Sequence, residues 1–245
     1  MLFIVGSGLG NPELLTVKAY RVLKKAEILL FDNLVSEEIL NIVPKNCQKV
    51  YVGKQPYGKC VSQDEINPLI VDYCSRYSVV VRLKGGDPYI FGRGFEEWCY
   101  AEESGIAVEY IPGISSMQGA GLCKIPLTHR GVSEGVWVMT GTKSDGEMAM
   151  DLSLAAQSNA TVVIYMGMRK LAEIVRIYML YGNGDKPAAI IQYASRPQQK
   201  EVTCRVRDLV GASQMAGASH PAIIIIGEVV SLRSSLRTVL SCFTP

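Results

Sequence analysis

Histidine is almost absent: His129 and His220 are the only two in 245 residues. Such scarcity excludes most histidine-based metal centres and His-centred hydrolytic triads unless carboxylates or thiols do the rest. Paired cysteines at metal-binding spacing are missing too. The seven thiols, at 47, 60, 74, 99, 123, 204 and 242, are odd in number, widely separated and form no CxxC. A disulfide framework or zinc knuckle is therefore not expected, and buried thiols in a reducing cytosol are. Long apolar runs are lacking, none approaching the ~20 residues of a membrane span. Met1–Val5 enters a glycine turn with no basic leading segment, so a cytoplasmic protein is expected. Nor is there an excess of one charge: 25 Lys+Arg against 23 Asp+Glu leave a formal +2. No nucleic-acid or membrane partner is expected from so weak a field, and an acidic ligand must be met by a few placed cations. What remains, 48% hydrophobic and 20% charged residues, is the balance of a globular chain long enough for one large core or two small ones.

Short β-rich runs at Leu2–Val5, Glu27–Phe31, Lys49–Val52 and Val79–Leu83 alternate with helix-like segments over 12–25, 35–42 and 62–76. That rhythm predicts a mainly parallel α/β sheet. Asn11 before Pro12, and the capping box Ser62-Gln-Asp-Glu65, give two of the helix starts a mechanism. Pro112-Gly113 marks a predicted boundary between an N-terminal domain, 1–113, and a C-terminal one, 114–245. Past it, strands are predicted at Val136–Thr140, Thr161–Tyr165, Ala188–Tyr193, Glu201–Val206 and Ala222–Ile226. Several are joined by links too short for a helical crossover, which predicts a mixed sheet.

Four loops carry the residues of interest. Gly6-Ser-Gly8-Leu-Gly10 follows the first strand, but its third glycine arrives one residue early for the dinucleotide fingerprint. A tight strand-to-helix turn explains it better than an NAD(P)-binding oxidoreductase, which is the reading from another class. Lys84-Gly85-Gly86-Asp87-Pro88 follows the strand Val79–Leu83, at the edge where open α/β sheets bind ligands. Its glycines leave backbone uncovered and Asp87 offers an acceptor; an ordinary turn is the alternative. Arg93 and Arg130 lie in loops and, with Lys54 and Lys84, are suited to hold a polyanion unless they are plain surface charge. Asp32, closing a strand, could take a proton if apolar neighbours surround it, or simply cap a turn. Met166 beside Gly167, like Trp98 and Cys99 on the helix after Gly94, reads by default as core filler, and His129 as structural.

Taken in order, Val5-Gly-Ser-Gly-Leu-Gly-Asn-Pro12, Phe31-Asp-Asn-Leu-Val-Ser36, Val81-Arg-Leu-Lys-Gly-Gly-Asp-Pro-Tyr-Ile-Phe-Gly-Arg-Gly94, Ile111-Pro-Gly-Ile114, Ile125-Pro-Leu-Thr-His-Arg130 and Tyr165-Met-Gly167 closely resemble the uroporphyrinogen-III C-methyltransferases among the tetrapyrrole methylases. The resemblance runs over essentially the whole chain. It implies two α/β domains, a site in the cleft between them, and a homodimer. The implied reaction is S-adenosylmethionine-dependent methylation of uroporphyrinogen III at C2 and C7, through precorrin-1 to precorrin-2, with S-adenosylhomocysteine as by-product and no metal. A later precorrin methylase and a non-catalytic tetrapyrrole carrier are the alternatives. By position it implies cofactor contacts at Leu9, Gly85, Gly86, Asp87, Ile90, Ser115, Ser116, Met166 and Ala194, Asp32 as proton acceptor and Lys54 as proton donor. Arg93, Glu96 and Arg130 are the expected substrate contacts, with a loop arginine as the alternative base. This chain departs from the family at Leu9, Asn11, Phe95, Ser115, Ser116 and Ala194; Phe95, where glycine is usual, is expected to reshape the substrate mouth. No dehydrogenase and chelatase module accompanies it here, so a single activity is expected.

Overall fold

A run of apolar residues buried on both sides marks a strand covered by helices on both faces, and Val80-Val-Arg-Leu-Lys84 is buried at every position. In the computed structural model, which describes residues 1–53, 62–143, 146–147 and 151–233, that segment is the middle of a parallel sheet. The sheet comprises β1 (Leu2–Gly6), β2 (Ile28–Phe31), β3 (Gln48–Tyr51), β4 (Val80–Lys84) and β5 (Val108–Ile111), in the order β3-β2-β4-β1-β5. Helices α1 (Val17–Leu23) and α2 (Glu37–Leu40) cover one face, where Ala19, Leu23 and Ile39 join Val5, Leu29, Val81 and Leu83. On the other face α3 (Gln63–Arg76) and α4 (Gly94–Glu103) bury Ile66, Ile70 and Ala101 against Leu2, Ile4, Ile28, Leu30 and Val80.

The helix expected over 12–25 divides in two. Asn11 caps only a 3₁₀ turn, Pro12–Leu14, its side chain accepting from the Glu13 N–H at 3.0 Å. Leu15 is extended, and Thr16 starts α1 afresh by accepting from the Ala19 N–H at 3.1 Å. Two capping side chains so close together each satisfy their own turn, which breaks the continuous helix. The helix expected over 35–42 contracts to α2, whereas α3 starts at its capping box, the Ser62 N–H donating to the Glu65 carboxylate at 2.7 Å.

The chain divides into two compact units, Met1–Ser116 and Met117–Pro245. In the second, α5 (Gly119–Leu122), β6 (Val136–Thr140), α6 (Leu152–Gln157), β7 (Thr161–Tyr165), α7 (Leu171–Leu180), β8 (Pro187–Gln192), β9 (Lys200–Arg205), α8 (Leu209–Met215) and β10 (Ala222–Ile226) follow one another. The sheet order is β6-β7-β10-β8-β9; only β6 and β7 pair parallel, so the sheet is mixed as expected. Among the described residues no helix is long and apolar enough to cross a membrane.

Candidate functional site

A parallel sheet delivers the carboxyl ends of all its strands to one edge, where its ligands are usually bound. Here the loops after β1, β4 and β5 meet backbone to backbone. Gly8 and Gly86 exchange N–H···O bonds of 3.1 and 2.9 Å, and the Ser7 N–H donates to the Lys84 carbonyl at 2.8 Å. A side chain at Gly113 would sit 2.2 Å from the Gly86 oxygen, a contact no Cβ makes. Gly86 has φ +67, and a Cβ there would lie 3.6 Å from Ser116 Oγ. The edge therefore brings Gly85, Gly86, Ser115 and Ser116 together. It also removes the dinucleotide reading: the Gly8 N–H is already bonded, and a 3₁₀ turn precedes α1, so no helix N-terminus opens behind the glycines.

Asp87 is 8% exposed and works on the protein itself. Its carboxylate accepts from the Tyr89 N–H at 2.8 Å, the Tyr110 hydroxyl at 2.6 Å and the Gly113 N–H at 3.1 Å. Burial, then the bond to Asp87, pushes the Tyr110 pKa up, so the phenol remains a donor. Tyr89 stacks on Tyr110 with centroids 4.0 Å apart, and Phe95 meets Tyr89 edge-on at 5.8 Å. Phe95 is thus an exposed outer ring of an aromatic ladder.

Beneath this edge lies a buried charge cluster. Arg82 and Lys84 share one face of β4 with Val80, under α3 and α4, and are 3% and 5% exposed. Glu97 on α4 receives Arg82 Nε at 3.1 Å, Lys84 Nζ at 2.9 Å and Gln63 Nε2 at 3.2 Å, all on Oε1. Burial pushes the Glu97 pKa up, but the Arg82 and Lys84 charges and the donated bonds outweigh it and hold the pKa low. For Lys84, burial and the Arg82 charge prevail over Glu97 and lower its pKa. Lys84 is consequently not the surface cation for a polyanion that its sequence position suggested. Asp32, one strand over, accepts from the Leu34 N–H at 3.0 Å through Oδ1, and its Oδ2 faces Arg82 at 3.6 Å. Its turn-capping role and a charged partner, instead of a wholly apolar setting, are what the fold provides. Sequence reasoning passed over Arg82 and Glu97, although an arginine inside Val79-Val-Val-Arg-Leu83 is itself a signal, because a charge in a strand buried on both faces requires a partner.

Arg93, at the left-handed N-cap of α4, pairs bidentately with Glu96 at 2.8 and 2.5 Å on the exposed surface. Those bonds raise the Arg93 pKa, which keeps the guanidinium protonated and so unavailable to take a proton. Ile90 follows Asp87 in the same loop and is 37% exposed, while Leu9 is buried after Gly8. In the second unit Arg130 is exposed in a turn closed by His129 and Ser133. The His129 ring contacts the Arg130 carbonyl at 2.9 Å. Met166 leaves β7 with φ +53 and is 53% exposed, so it is not core filler. Ala194 leaves β8 between Tyr193 and Ser195, both of positive φ. Since β7 and β8 both run antiparallel to β10, Met166 and Ala194 emerge on one edge of that sheet. Lys54 lies outside the described residues. Among the described residues no group of three or more His, Cys, Asp or Glu could hold a metal ion.

Residues 1–210 match the family of Tetrapyrrole (Corrin/Porphyrin) Methylases. A siroheme synthase of Chromobacterium violaceum is 41% identical over 237 residues, 96% of this chain and 50% of that protein. The S-adenosyl-L-methionine-dependent uroporphyrinogen III methyltransferase, chloroplastic, of Arabidopsis thaliana is 40% identical over 94% of this chain and 64% of its own. The chain thus spans about half the length of the bacterial relatives it matches. Among solved structures, the uroporphyrin-III C-methyl transferase of Thermus thermophilus complexed with S-adenyl homocysteine superposes with a TM-score of 0.82 at 37% identity, covering 94% of this chain and 99% of that one.

Proposed function

The chain belongs to the tetrapyrrole methylases, and on that premise we propose that it transfers methyl groups from S-adenosylmethionine to C2 and C7 of uroporphyrinogen III, through precorrin-1 to precorrin-2. The observation that carries the reading is the glycine edge, where a side chain at Gly6 or Gly113 would collide with facing backbone and Gly86 takes a left-handed φ of +67, so that the three loops meet with no side chain between them. A cofactor with an amino-acid end and a nucleoside fits such a surface, because it can be recognised by peptide groups at close approach. The Arabidopsis and Thermus relatives, by their names, work with this cofactor or its demethylated form.

Gly85, Gly86, Asp87, Ser115 and Ser116, flanked by Leu9 and Ile90, would hold the cofactor, and Met166 and Ala194 are the further contacts in this reading. Asp87 does so chiefly by fixing the loops through Tyr110 and Gly113. When bound, S-adenosylmethionine supplies an electrophilic methyl group to an electron-rich pyrrole carbon. Arg93 and Arg130 would meet the substrate's carboxylate arms, since guanidinium forks match carboxylates bidentately, and Glu96, which bonds Arg93, would take part in the substrate contact by orienting that arginine. Methylation makes the attacked pyrrole carbon quaternary, so the proton must leave from elsewhere on the macrocycle, and Asp32 would accept it through Oδ2, the oxygen not bonded to the Leu34 N–H; Lys54 would serve as donor. The chief contribution of the chain is to hold two reactants in register, which alone lowers barriers substantially.

Anaerobic incubation with uroporphyrinogen III and methyl-labelled S-adenosylmethionine tests this. Two labelled methyls in the tetrapyrrole, abolished in Gly86→Arg while far-ultraviolet circular dichroism stays native, are expected. Transfer to an already methylated precorrin but not to uroporphyrinogen III would overturn the substrate, and nicotinamide binding in place of S-adenosylhomocysteine binding would overturn the family of cofactor. The working form in this reading is a cytoplasmic homodimer. Sedimentation equilibrium should give twice 26.8 kDa, and a monomer at micromolar concentration would refute that.

A further inference from the structure

Two cations on one face of a central strand are an expensive way to fill a core. Burying an ion pair is often no more stabilising than well-packed apolar side chains of the same volume, and Val80 on the same face shows that such side chains fit. The geometry of the cluster is also directed. Every nitrogen of the Arg82 guanidinium is engaged: Nε with Glu97 Oε1 at 3.1 Å, Nη1 with the Leu83 carbonyl at 3.0 Å, and Nη2 facing Asp32 Oδ2 at 3.6 Å. Glu97 is anchored in turn by Lys84 and Gln63. The charges of Arg82, Lys84, Glu97 and Asp32 sum to zero, so the network is balanced only when it includes the carboxylate at the end of β2.

We propose that Arg82, locked by Glu97, is the positioning residue for the Asp32 carboxylate. This rests on the reading of Asp32 as proton acceptor. With Oδ1 bonded to the Leu34 N–H, the side chain is pinned on one side, and the guanidinium fixes the other. At 3.6 Å the Asp32–Arg82 contact is an ion pair beyond normal hydrogen-bond length. Oδ2 is thus oriented, yet retains a lone pair for a proton. Arginine suits the task because its planar fork reaches two carboxylates at fixed angles, whereas an ammonium is a point charge. Glu97 never touches substrate; it acts by keeping the fork from rotating.

The test is a double-mutant cycle of Arg82→Lys and Asp32→Asn, reading single-turnover label transfer, the KM for uroporphyrinogen III and the Kd for S-adenosylhomocysteine. Arg82→Lys keeps a charge beside Glu97. It should lower turnover at least about tenfold through misplacement of the acceptor, with KM and Kd unchanged within about twofold. In the Asp32→Asn background the same substitution should change turnover by less than about twofold, because the group it positions is gone. An equal loss in both backgrounds, or a loss of cofactor affinity alongside turnover, would reduce Arg82 to a structural residue and overturn the proposal. Wild-type turnover in Asp32→Asn alone would instead sink the acceptor reading on which it rests. Should the Arg82→Lys chain not fold, Glu97→Gln read in the same two backgrounds decides by the same criteria.

Discussion

A carboxylate at the carboxyl edge of a sheet meets either a ligand or the protein, and Asp87 meets the protein, gathering the Tyr89 N–H, the Tyr110 hydroxyl and the Gly113 N–H. Tyr110→Phe removes one of those donors without changing the ring that stacks on Tyr89. It should reduce stability by about 1–2 kcal/mol, read as a lower urea midpoint at unchanged slope, and weaken S-adenosylhomocysteine severalfold by calorimetry. Unchanged affinity would mean that Asp87 does not shape the cofactor edge. Gly86 and Asp87 were legible from the Gly-Gly-Asp-Pro turn, whereas Tyr110 carried no local mark, because it sits 23 positions away and is brought in only by β5 crossing to the far side of β1. Met166 illustrates the converse: local sequence made it core filler, and its left-handed backbone at the end of β7 turns it outward.

At the scale of elements, short apolar, β-rich runs identified nine of the ten strands among the described residues within a residue or so, since each buries one or both faces. The missed strand, β5, reads Val108-Glu-Tyr-Ile111; it is short, half polar and lies on the sheet's edge, so neither pattern was there to be found. Helix 12–25 failed for a different reason, a second cap inside the periodic segment. Thr16→Ala should therefore cost about 1 kcal/mol, while Asn11→Ala, which caps only a single 3₁₀ turn, should cost clearly less. Equal midpoint shifts in thermal unfolding would contradict this division of the segment. The α7 helix, which the sequence reading did not include, buries Leu171, Ile174 and Tyr178 at helical spacing.

For the molecule as a whole, near neutrality of charge leaves pH sensitivity to individual buried groups. Glu97 has its pKa lowered on folding, so the unfolded chain binds the proton more readily. Its contribution to stability is present above the ordinary carboxylate value and is lost as pH falls through the folded one, over the acid range below about pH 4.5. Glu97→Gln should be less stable at pH 7 than the parent, yet lose less further stability on acidification; parallel curves from pH 7 to 3 would refute the assignment. Much of this protein was determined by its sequence alone: the alternation of strands and helices, the parallel-then-mixed order of pairing, the glycine loops at strand ends and the family they spell. Those features depend on residues within a few positions of one another. Which charges are buried, and with what, was decided only by the tertiary structure. Lys84 and Arg93 both read as loop cations, but one is sealed beneath α4 and the other pairs on the surface. Periodicity reports which face a side chain occupies. The partner across that face depends on strand order and on where a helix crosses, and so on contacts between residues 13 to 50 positions apart such as Lys84–Glu97 and Asp32–Arg82.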